Sequence, residues 1–252
     1  MPQRDRILVA SIQGAVIAGL LGAWYASTSS SQRLSLFLPP PDRVWKAFHS
    51  LATSGQLWAA AKVTMLTIAA AYAIAAGAGL VVGFVVARSE RLLRIFEPML
   101  SGMFAVPITM FFPLFILFFG LGPESKIAYG ATYAFFPIAL NTIAGFSSVD
   151  RLYIRAVQSM GASGFQQFRY VYLHGALPVT VTGLRIGFFI CVASVLGGEI
   201  LASIAGIGRS ISLASELMET ARLYGWIVFV VLISLILNLA GYAAENRVHR
   251  DV

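Results

Sequence analysis

The residue types that bind metals or act as nucleophiles are few in this sequence and far apart. The histidines are His49, His174 and His249, and the one cysteine, Cys191, lies within an apolar run. None of these four residues has metal-ligand spacing to another histidine, cysteine or carboxylate. A nucleophile paired with a base is also missing at helical spacing within the apolar runs. We therefore expect no metal site, no disulfide and no intramembrane enzyme.

Phosphate-binding chemistry also lacks its usual signature. The sequence G-x-x-x-x-G-K-[ST] does not occur, and the three lysines, Lys46, Lys62 and Lys126, do not follow a glycine. The chain is therefore not expected to bind ATP in the P-loop manner or to be an enzyme, and we expect no cofactor in it.

Polar or ionisable residues inside apolar runs are costly in a membrane and are therefore functional candidates. For Glu199, which follows Gly197 and Gly198, a role in a solute path or gate is open, as is an interfacial position. Arg185 is better explained by snorkelling or packing. Asn141 can line a path or bond across helices. Further candidates for a translocation path, chosen by position alone, are Thr109, Met110, Phe112 and Tyr133.

The elements that must position these residues are membrane helices. The 252 residues are 58% hydrophobic and only 12% charged, and the mean hydropathy is +0.79, which differs from the balance of soluble globular proteins. The net charge of +7 is spread over short segments between apolar runs. This distribution is typical of topology signals, and it argues against nucleic-acid binding.

Six apolar runs are long enough to cross a hydrocarbon core of about 30 Å. They cover residues 7–26, 61–87, 95–120, 127–146, 179–205 and 225–244. The first run follows a basic start, as a signal peptide does, but it is longer than a usual signal-peptide core and is kept as a span. The second is rich in Ala and Gly, which permits close helix packing. The third is broken by Pro98, Pro107 and Pro113, where kinks could line a pathway. Proline is also commoner in membrane helices generally, and for any single proline this is the favoured interpretation.

Basic residues favour one side of this six-span arrangement. With the N-terminus inside, the inner segments carry Arg4, Arg6, Arg88, Arg91, Arg94, Arg151, Arg155, Arg169, Arg247 and Arg250. The outer segments carry Arg33, Arg43, Lys46, Lys62, Lys126, Arg209 and Arg222. The excess on the inner side predicts that both termini are cytoplasmic. The segment 150–178 is then cytoplasmic as well.

This polar segment, 150–178, has the signature of two capped helices. Asp150 can cap a first short helix, and Gly161 suits the left-handed position after its last residue. Ser163 followed by Gln166 has the spacing of a capping box that opens a second helix. The segment therefore reads as helix, sharp turn, helix.

The second helix of this segment has an aromatic face formed by Phe165, Phe168 and Tyr172. From periodicity alone, the face could lie on the bilayer or dock into a protein. A lipid-lying helix usually has a polar face rich in Lys and Arg, and this one has mainly Ser, Gln and Arg169. Docking into a cytoplasmic protein is the favoured interpretation.

The whole stretch RAVQSMGASGFQQFRYVYLHGALP resembles the EAA-type loop of ABC importer permeases, and in particular the branch that imports nitrate, sulfonates, taurine and related compounds. Similar features extend over most of the chain, namely Pro39–Pro41, Pro107, Pro113–Leu114, Phe119–Gly122, Phe136–Pro137, Gly183–Arg185, Glu199 and Gly206–Gly208. Two positions depart from the family pattern. Arg155 stands where Glu is usual, and His174 stands where the first Pro of the loop ending is usual.

The resemblance implies an all-α, polytopic membrane protein with about six transmembrane helices and the type I ABC importer permease fold. It implies a single permease domain, 1–252, in the bacterial inner membrane that imports a small anionic or polar solute. The expected partners are a cytoplasmic ATPase dimer that binds ATP and Mg, a second permease copy, an external substrate-binding protein and membrane lipid. The implied ATPase-coupling residues are Arg155, Ala156, Gly161, Ala162, Ser163, Phe165, Phe168 and His174. An ion-driven secondary transporter or channel is the alternative class.

Overall fold

The structure is a computed structural model that describes residues 3–29 and 32–250. Close to both ends, some side chains lie outside the described part of the chain. These side chains include five basic ones that the predicted topology uses, Arg4, Arg6, Arg33, Arg247 and Arg250. The side chain of His249 is also among them.

The described residues form helices joined by short turns and contain no strand. The helices are α1 (Gln3–Ser29), α2 (Gln32–Phe37), α3 (Pro41–Thr53), α4 (Gln56–Ala87), α5 (Glu90–Ala105), α6 (Phe112–Phe119), α7 (Pro123–Ser147), α8 (Arg151–Ser159), α9 (Gly164–Gln167), α10 (Leu173–Leu201), α11 (Ile207–Glu216) and α12 (Thr220–Arg250). A 3₁₀ turn, Ile108–Phe111, precedes α6, and a π-helical stretch, Phe168–Tyr172, joins α9 to α10. The all-α prediction is confirmed.

Four helical stretches within the described residues are long and apolar enough to cross a membrane. They are Gln56–Ala87, Pro123–Ser147, Gly164–Leu201 and Thr220–Leu239. Helix α5 and the stretch Ile108–Phe119 meet at an angle of 74° and count as a fifth if the bent pair is one span. The sixth predicted span lies in α1, and the count of six stays a prediction.

The prolines act differently from one another. Only Pro107 coincides with a break in the third run, because Val106 takes an extended conformation that ends α5. Pro98 lies inside α5, and Pro113 lies in the first turn of α6, where a missing N–H costs nothing. Pro178 lies inside α10, so this helix continues where the sequence suggests a stop.

Two compact units make up the chain. The first contains Met1–Ala59 and Ser210–Leu232. In it, α3 buries Val44 and Leu51. Gly225 of α12 packs closely on α3, since a Cβ there would lie 3.3 Å from the backbone nitrogen of Phe48. The second unit contains Ala60–Arg209 and Ile233–Val252.

Three helices form the core of the second unit, and glycines bring them together. A Cβ at Gly79 of α4 would lie 2.8 Å from the Ile138 side chain of α7. A Cβ at Gly187 of α10 would overlap the same Ile138 side chain. Small residues therefore let α4 and α10 both approach α7, as the Ala- and Gly-rich sequence of the second run predicts.

We expect Gly83→Ala to lower the midpoint of thermal unfolding in detergent. A Cβ at Gly83 would lie 2.8 Å from the carbonyl oxygen of Ala139, so α4 and α7 must separate. Overpacking of this kind costs about 1–3 kcal/mol. The matched control is Gly77→Ala on the same helix, where nothing lies within 4 Å of the new Cβ. Equal midpoints for the two variants would contradict the packing account.

Candidate functional site

The first helix of segment 150–178 is capped at both ends. The Asp150 carboxylate accepts a hydrogen bond from the Leu152 backbone N–H at 2.8 Å, which confirms the predicted N-cap. At the other end, Gly161 has φ +77°. Its N–H donates to the Gln158 carbonyl at 2.9 Å, and the Ala162 N–H donates to the Val157 carbonyl at 3.0 Å. These two bonds form a Schellman motif, which requires a left-handed residue at Gly161.

The second helix of the segment begins with the predicted capping box. The Ser163 hydroxyl accepts from the Gln166 N–H at 3.3 Å, and the Gln166 side chain accepts from the Ser163 N–H at 2.8 Å. The Gln167 amide donates to the Ala162 carbonyl at 2.9 Å. Hydrogen bonds from α8 on one side and α9 on the other therefore fix the backbone of the turn between them.

Phe165, Phe168 and Tyr172 share one face, as predicted, and line the same groove. Phe168 nevertheless packs inside the chain, with its ring centroid 5.2 Å from that of Phe84 on α4 and 6.3 Å from that of Phe146 on α7. Only Phe165 of the three is largely exposed, at 70%. This differs from the sequence-based interpretation, in which all three rings meet a partner. Phe168 instead anchors the segment to the helix bundle.

Large apolar side chains are exposed along α8 and at its end. Met160 is 84% exposed, Leu152 is 68% exposed and Tyr153 is 65% exposed. Arg155 and Ala156 of α8 are also exposed. Side chains of this size that remain exposed next to a rigid turn are typical of a protein-docking surface.

Two further contacts involve residues of the segment. Arg151 forms an ion pair with Glu90 of α5 at 2.7 Å, but both side chains are more than 70% exposed and the pair contributes little stability. His174 Nδ1 lies 3.0 Å from the carbonyl oxygen of Arg169, five residues earlier. A histidine at this position lets the helix continue from the π-helical stretch into α10. A proline there would lack the backbone N–H that can donate a hydrogen bond.

A second cluster surrounds Glu199, which is only 2% exposed. Its carboxylate accepts from the Thr64 hydroxyl at 2.9 Å and from the Gly208 N–H at 2.9 Å. The Thr64 oxygen in turn accepts from the Ile207 N–H at 2.8 Å. Glu199 therefore links α4 to the start of α11 through buried hydrogen bonds, and its role in a solute path or gate stays a prediction.

Lys126 is the residue of this cluster whose local structure differs from the prediction, since the sequence argument places it in a turn and the structure places it in the first helical turn of α7. Its side chain is fully buried and donates to the carbonyl oxygens of Leu121 at 2.7 Å and Gly122 at 3.1 Å. Lys126 and Glu199 line the same small cavity. Lysine and glutamate have opposite charges, and these two lie at the ends of two different apolar runs. Sequence reasoning could use this complementarity to predict that they lie near each other.

The remaining path candidates divide into buried and exposed residues. Phe112 is buried against Tyr129, with ring centroids 4.9 Å apart, and Tyr133 is half-buried. Asn141 donates to the Pro137 carbonyl of its own helix at 2.8 Å. Thr109 and Met110 are exposed at the break between α5 and α6. The assignment of these residues to a solute path stays a prediction.

No group of three or more His, Cys, Asp or Glu residues within the described ranges could hold a metal ion. Cys191 is buried and free.

Comparison with known proteins gives a family match over residues 75–252, to the binding-protein-dependent transport system inner membrane component. The taurine transport system permease protein TauC of Escherichia coli K12 is 31% identical over 236 residues, which cover 92% of this chain and 86% of TauC. The riboflavin transport system permease protein RibX of Chloroflexus aurantiacus is 31% identical over 231 residues, with the same coverage of 92% and 86%.

Among solved structures, the inward-facing MetNI methionine ABC transporter matches with a TM-score of 0.60 and 21% identity. The match covers 73% of this chain and 92% of the MetNI chain. It concerns the fold, which is that of a type I ABC importer permease.

Proposed function

This chain belongs to the family of binding-protein-dependent transport system inner membrane components, and from that premise we propose that segment 150–178 couples it to a separate ATPase. The chain is a multi-pass inner-membrane permease of an ABC importer, and this membership decides against an ion-driven secondary transporter. Energy then has to enter from another subunit, because the sequence contains no P-loop. ATP and Mg bind to that ATPase.

The observation that carries the proposal is the shape of the α8–α9 turn. Its backbone is fixed by the Schellman motif at Gly161 and by the capping box at Ser163, while Met160 remains 84% exposed. A rigid backbone presents an apolar side chain without a loss of chain entropy on docking. Of the remaining proposed coupling residues, Arg155, Ala156, Ala162 and Phe165 lie on either side of this turn in the chain, and His174 lies at the start of α10.

The proposed ATPase groove has acidic character opposite α8. Arg155 is exposed and lies on the first helix of the segment, where a glutamate is usual in the family. A basic residue at that position is complementary to an acidic partner. We therefore expect a carboxylate on the ATPase to face Arg155.

A second permease copy completes the solute path in this proposal. The bent pair of α5 and α6 exposes a run of large apolar residues, namely Met99, Met103, Val106, Met110, Phe111 and Leu114. Such a surface can pack on the same surface of another copy. Thr109 and Met110 would then lie between the two copies and contact the solute, whereas Glu199 and Asn141 position helices.

The proposed solute is a small anionic or polar molecule of the sulfonate or taurine type, delivered by an external binding protein. TauC, which is named for taurine transport, supports this class. RibX, at the same identity, is named for riboflavin transport, so the solute class needs a direct test.

The test is uptake into proteoliposomes that contain this chain and its ATPase, with the binding protein added outside. We expect taurine uptake that requires ATP, the ATPase and the binding protein together. The binding protein should also gain thermal stability with taurine or an alkane sulfonate. Uptake driven by an ion gradient without ATP would contradict the proposal, and binding of riboflavin alone would reject the solute class.

The proposed orientation places the α8–α9 turn in the cytoplasm and the α11–α12 turn outside. Met160 and Met218 lie in these two turns and are similarly exposed, at 84% and 79%. Met218→Cys should react with a membrane-impermeant maleimide added to intact cells, and Met160→Cys should react only after the membrane is opened. Labelling of both variants from the same side would contradict the topology.

A further inference from the structure

Helix α6 packs less and less against its neighbours from its start to its end. Phe112 is buried, Phe115 and Ile116 are half-buried, and the last three residues, 117–119, are all exposed. Exposed side chains contribute little to holding a helix against its neighbours. The position of the second half of α6 therefore depends on what holds the turn that follows it.

The start of α6 is held by the Phe112 ring. This ring packs on Tyr129 of α7, and a Cβ at Gly198 of α10 would lie 3.1 Å from it. The same Cβ would lie 3.3 Å from Cγ of Lys126. The Phe112 ring and the apolar stem of Lys126 therefore both lie against one glycine of α10.

The end of α6 is held by the Lys126 ammonium group. This group donates to the carbonyl oxygen of Leu121 at 2.7 Å and to that of Gly122 at 3.1 Å, both in the turn between α6 and α7. Gly120 opens that turn with φ +77°, and its N–H donates to the Ile116 carbonyl at 2.7 Å. Hydrogen bonds from a charged donor are stronger than those between neutral groups. The ammonium group thus fixes the backbone directly after the last turn of α6.

A lysine at this position is costly. Lys126 is fully buried, and it lies in the first turn of α7, where the positive end of the helix dipole disfavours a cation. The buried carboxylate of Glu199 lines the same small cavity and supplies the opposite charge. That carboxylate is itself held by Thr64 of α4 and by the Gly208 N–H of α11. Glu199 therefore stabilises Lys126 in its buried position.

We propose that Lys126 is a positioning residue for α6. Its ammonium group holds the turn at the end of the helix, and Glu199 links that group to α4, α10 and α11. The 3₁₀ turn that contains Thr109 and Met110 leads directly into α6, so the position of α6 sets where these two residues lie. This last step rests on the proposed function, in which Thr109 and Met110 contact the solute.

The test is hydrogen–deuterium exchange of the full-length chain in detergent, read by mass spectrometry of its peptides. In Lys126→Met, which keeps an apolar stem, the amides of residues 114–122 should exchange roughly tenfold faster, because two bonds from a charged donor are lost. Lys62→Met is the matched control, since Lys62 is an exposed lysine of α4. It should leave the exchange of residues 114–122 unchanged.

A double variant separates positioning from a general loss of stability. Lys126→Met alone leaves the Glu199 carboxylate buried without its opposite charge, so the unfolding midpoint should fall. Lys126→Met with Glu199→Gln removes both charges, and the midpoint should recover. Exchange of residues 114–122 should nevertheless stay fast, because the carbonyl oxygens of Leu121 and Gly122 still lack their donor.

Exchange of residues 114–122 at the original rate in Lys126→Met, or a return to that rate in the double variant, would overturn the proposal. In proteoliposomes, the double variant should lose most of its ATP-driven uptake. Full uptake by this variant would overturn the link between α6 and the solute path. The exchange experiment needs no ATPase and no solute, so its failure leaves the proposed function standing. An absence of uptake by the original chain would count against the proposed function alone.

Discussion

A chain with Gly161→Pro is expected to insert into the membrane normally and to lose ATP-driven uptake. Proline fixes φ near −65°, whereas Gly161 has φ +77°, and proline has no N–H to donate to Gln158. Proline also disfavours the near-helical conformation that Met160 adopts just before it. The cost is about 3 kcal/mol or more, which leaves the native turn in a minor fraction of molecules.

The turn is exposed, so this cost is local and the helix bundle should keep its thermal midpoint. We therefore expect uptake in proteoliposomes to fall roughly 10- to 100-fold with an unchanged unfolding midpoint. Gly161→Asn is the matched control, because asparagine tolerates the left-handed conformation better than other residues with a side chain. It should retain most of the uptake. If Gly161→Pro transports as well as Gly161→Asn, the turn does not transmit the ATPase cycle.

Removal of the Glu199 carboxylate is expected to give the largest loss of stability in the chain. In Glu199→Ala, the Gly208 N–H and the Thr64 hydroxyl lose their acceptor, and Lys126 loses the carboxylate that shares its cavity. Breaking a buried charged cluster in this way costs about 3–5 kcal/mol. The unfolding midpoint of Glu199→Ala in detergent should fall by several degrees. Glu199→Gln should have a midpoint between that of Glu199→Ala and that of the unmodified chain.

The matched control for this loss is Glu97→Gln, which changes an exposed carboxylate of α5. Surface changes of this kind stay within about 0.5 kcal/mol, so its midpoint should match that of the unmodified chain. Thr64→Val should also destabilise, and the double variant Thr64→Val with Glu199→Ala should lose less than the sum of the two single losses, since they break the same bonds. Additive losses would show that Glu199 and Thr64 act independently.

Much of segment 150–178 could be predicted because its signals are local. A cap at Asp150, a left-handed glycine at Gly161 and a capping box at Ser163 each depend on a few adjacent residues, and all three predictions are confirmed. What periodicity could not show is which neighbour covers the aromatic face. Phe168 is anchored by Phe84 and Phe146, which are 84 and 22 residues earlier in the chain, and no local pattern encodes that contact.

The buried cluster around Glu199 was harder to predict for the same reason. Its partner Thr64 is 135 residues away, and the role of Lys126 depends on carbonyl oxygens in a turn that reads as solvent-exposed. The fifth run also ends earlier than hydropathy indicates. Gly206, with φ +105°, separates it from α11, and a Cβ at this residue would overlap the Glu199 carboxylate. The conformation of Gly206 depends on how the chain folds back on Glu199 seven residues earlier, which hydropathy does not indicate.

The central claim is that the α8–α9 turn docks into an ATPase subunit, and cysteine cross-linking tests it directly. The chain with Met160→Cys, co-expressed with its ATPase, should form one cross-linked product with a cysteine placed along the ATPase groove. The yield should change when ATP is added, because the groove moves in the ATPase cycle. Met218→Cys, which is similarly exposed in the α11–α12 turn, should give no product. Cross-linking from Met218→Cys but not from Met160→Cys would contradict the account.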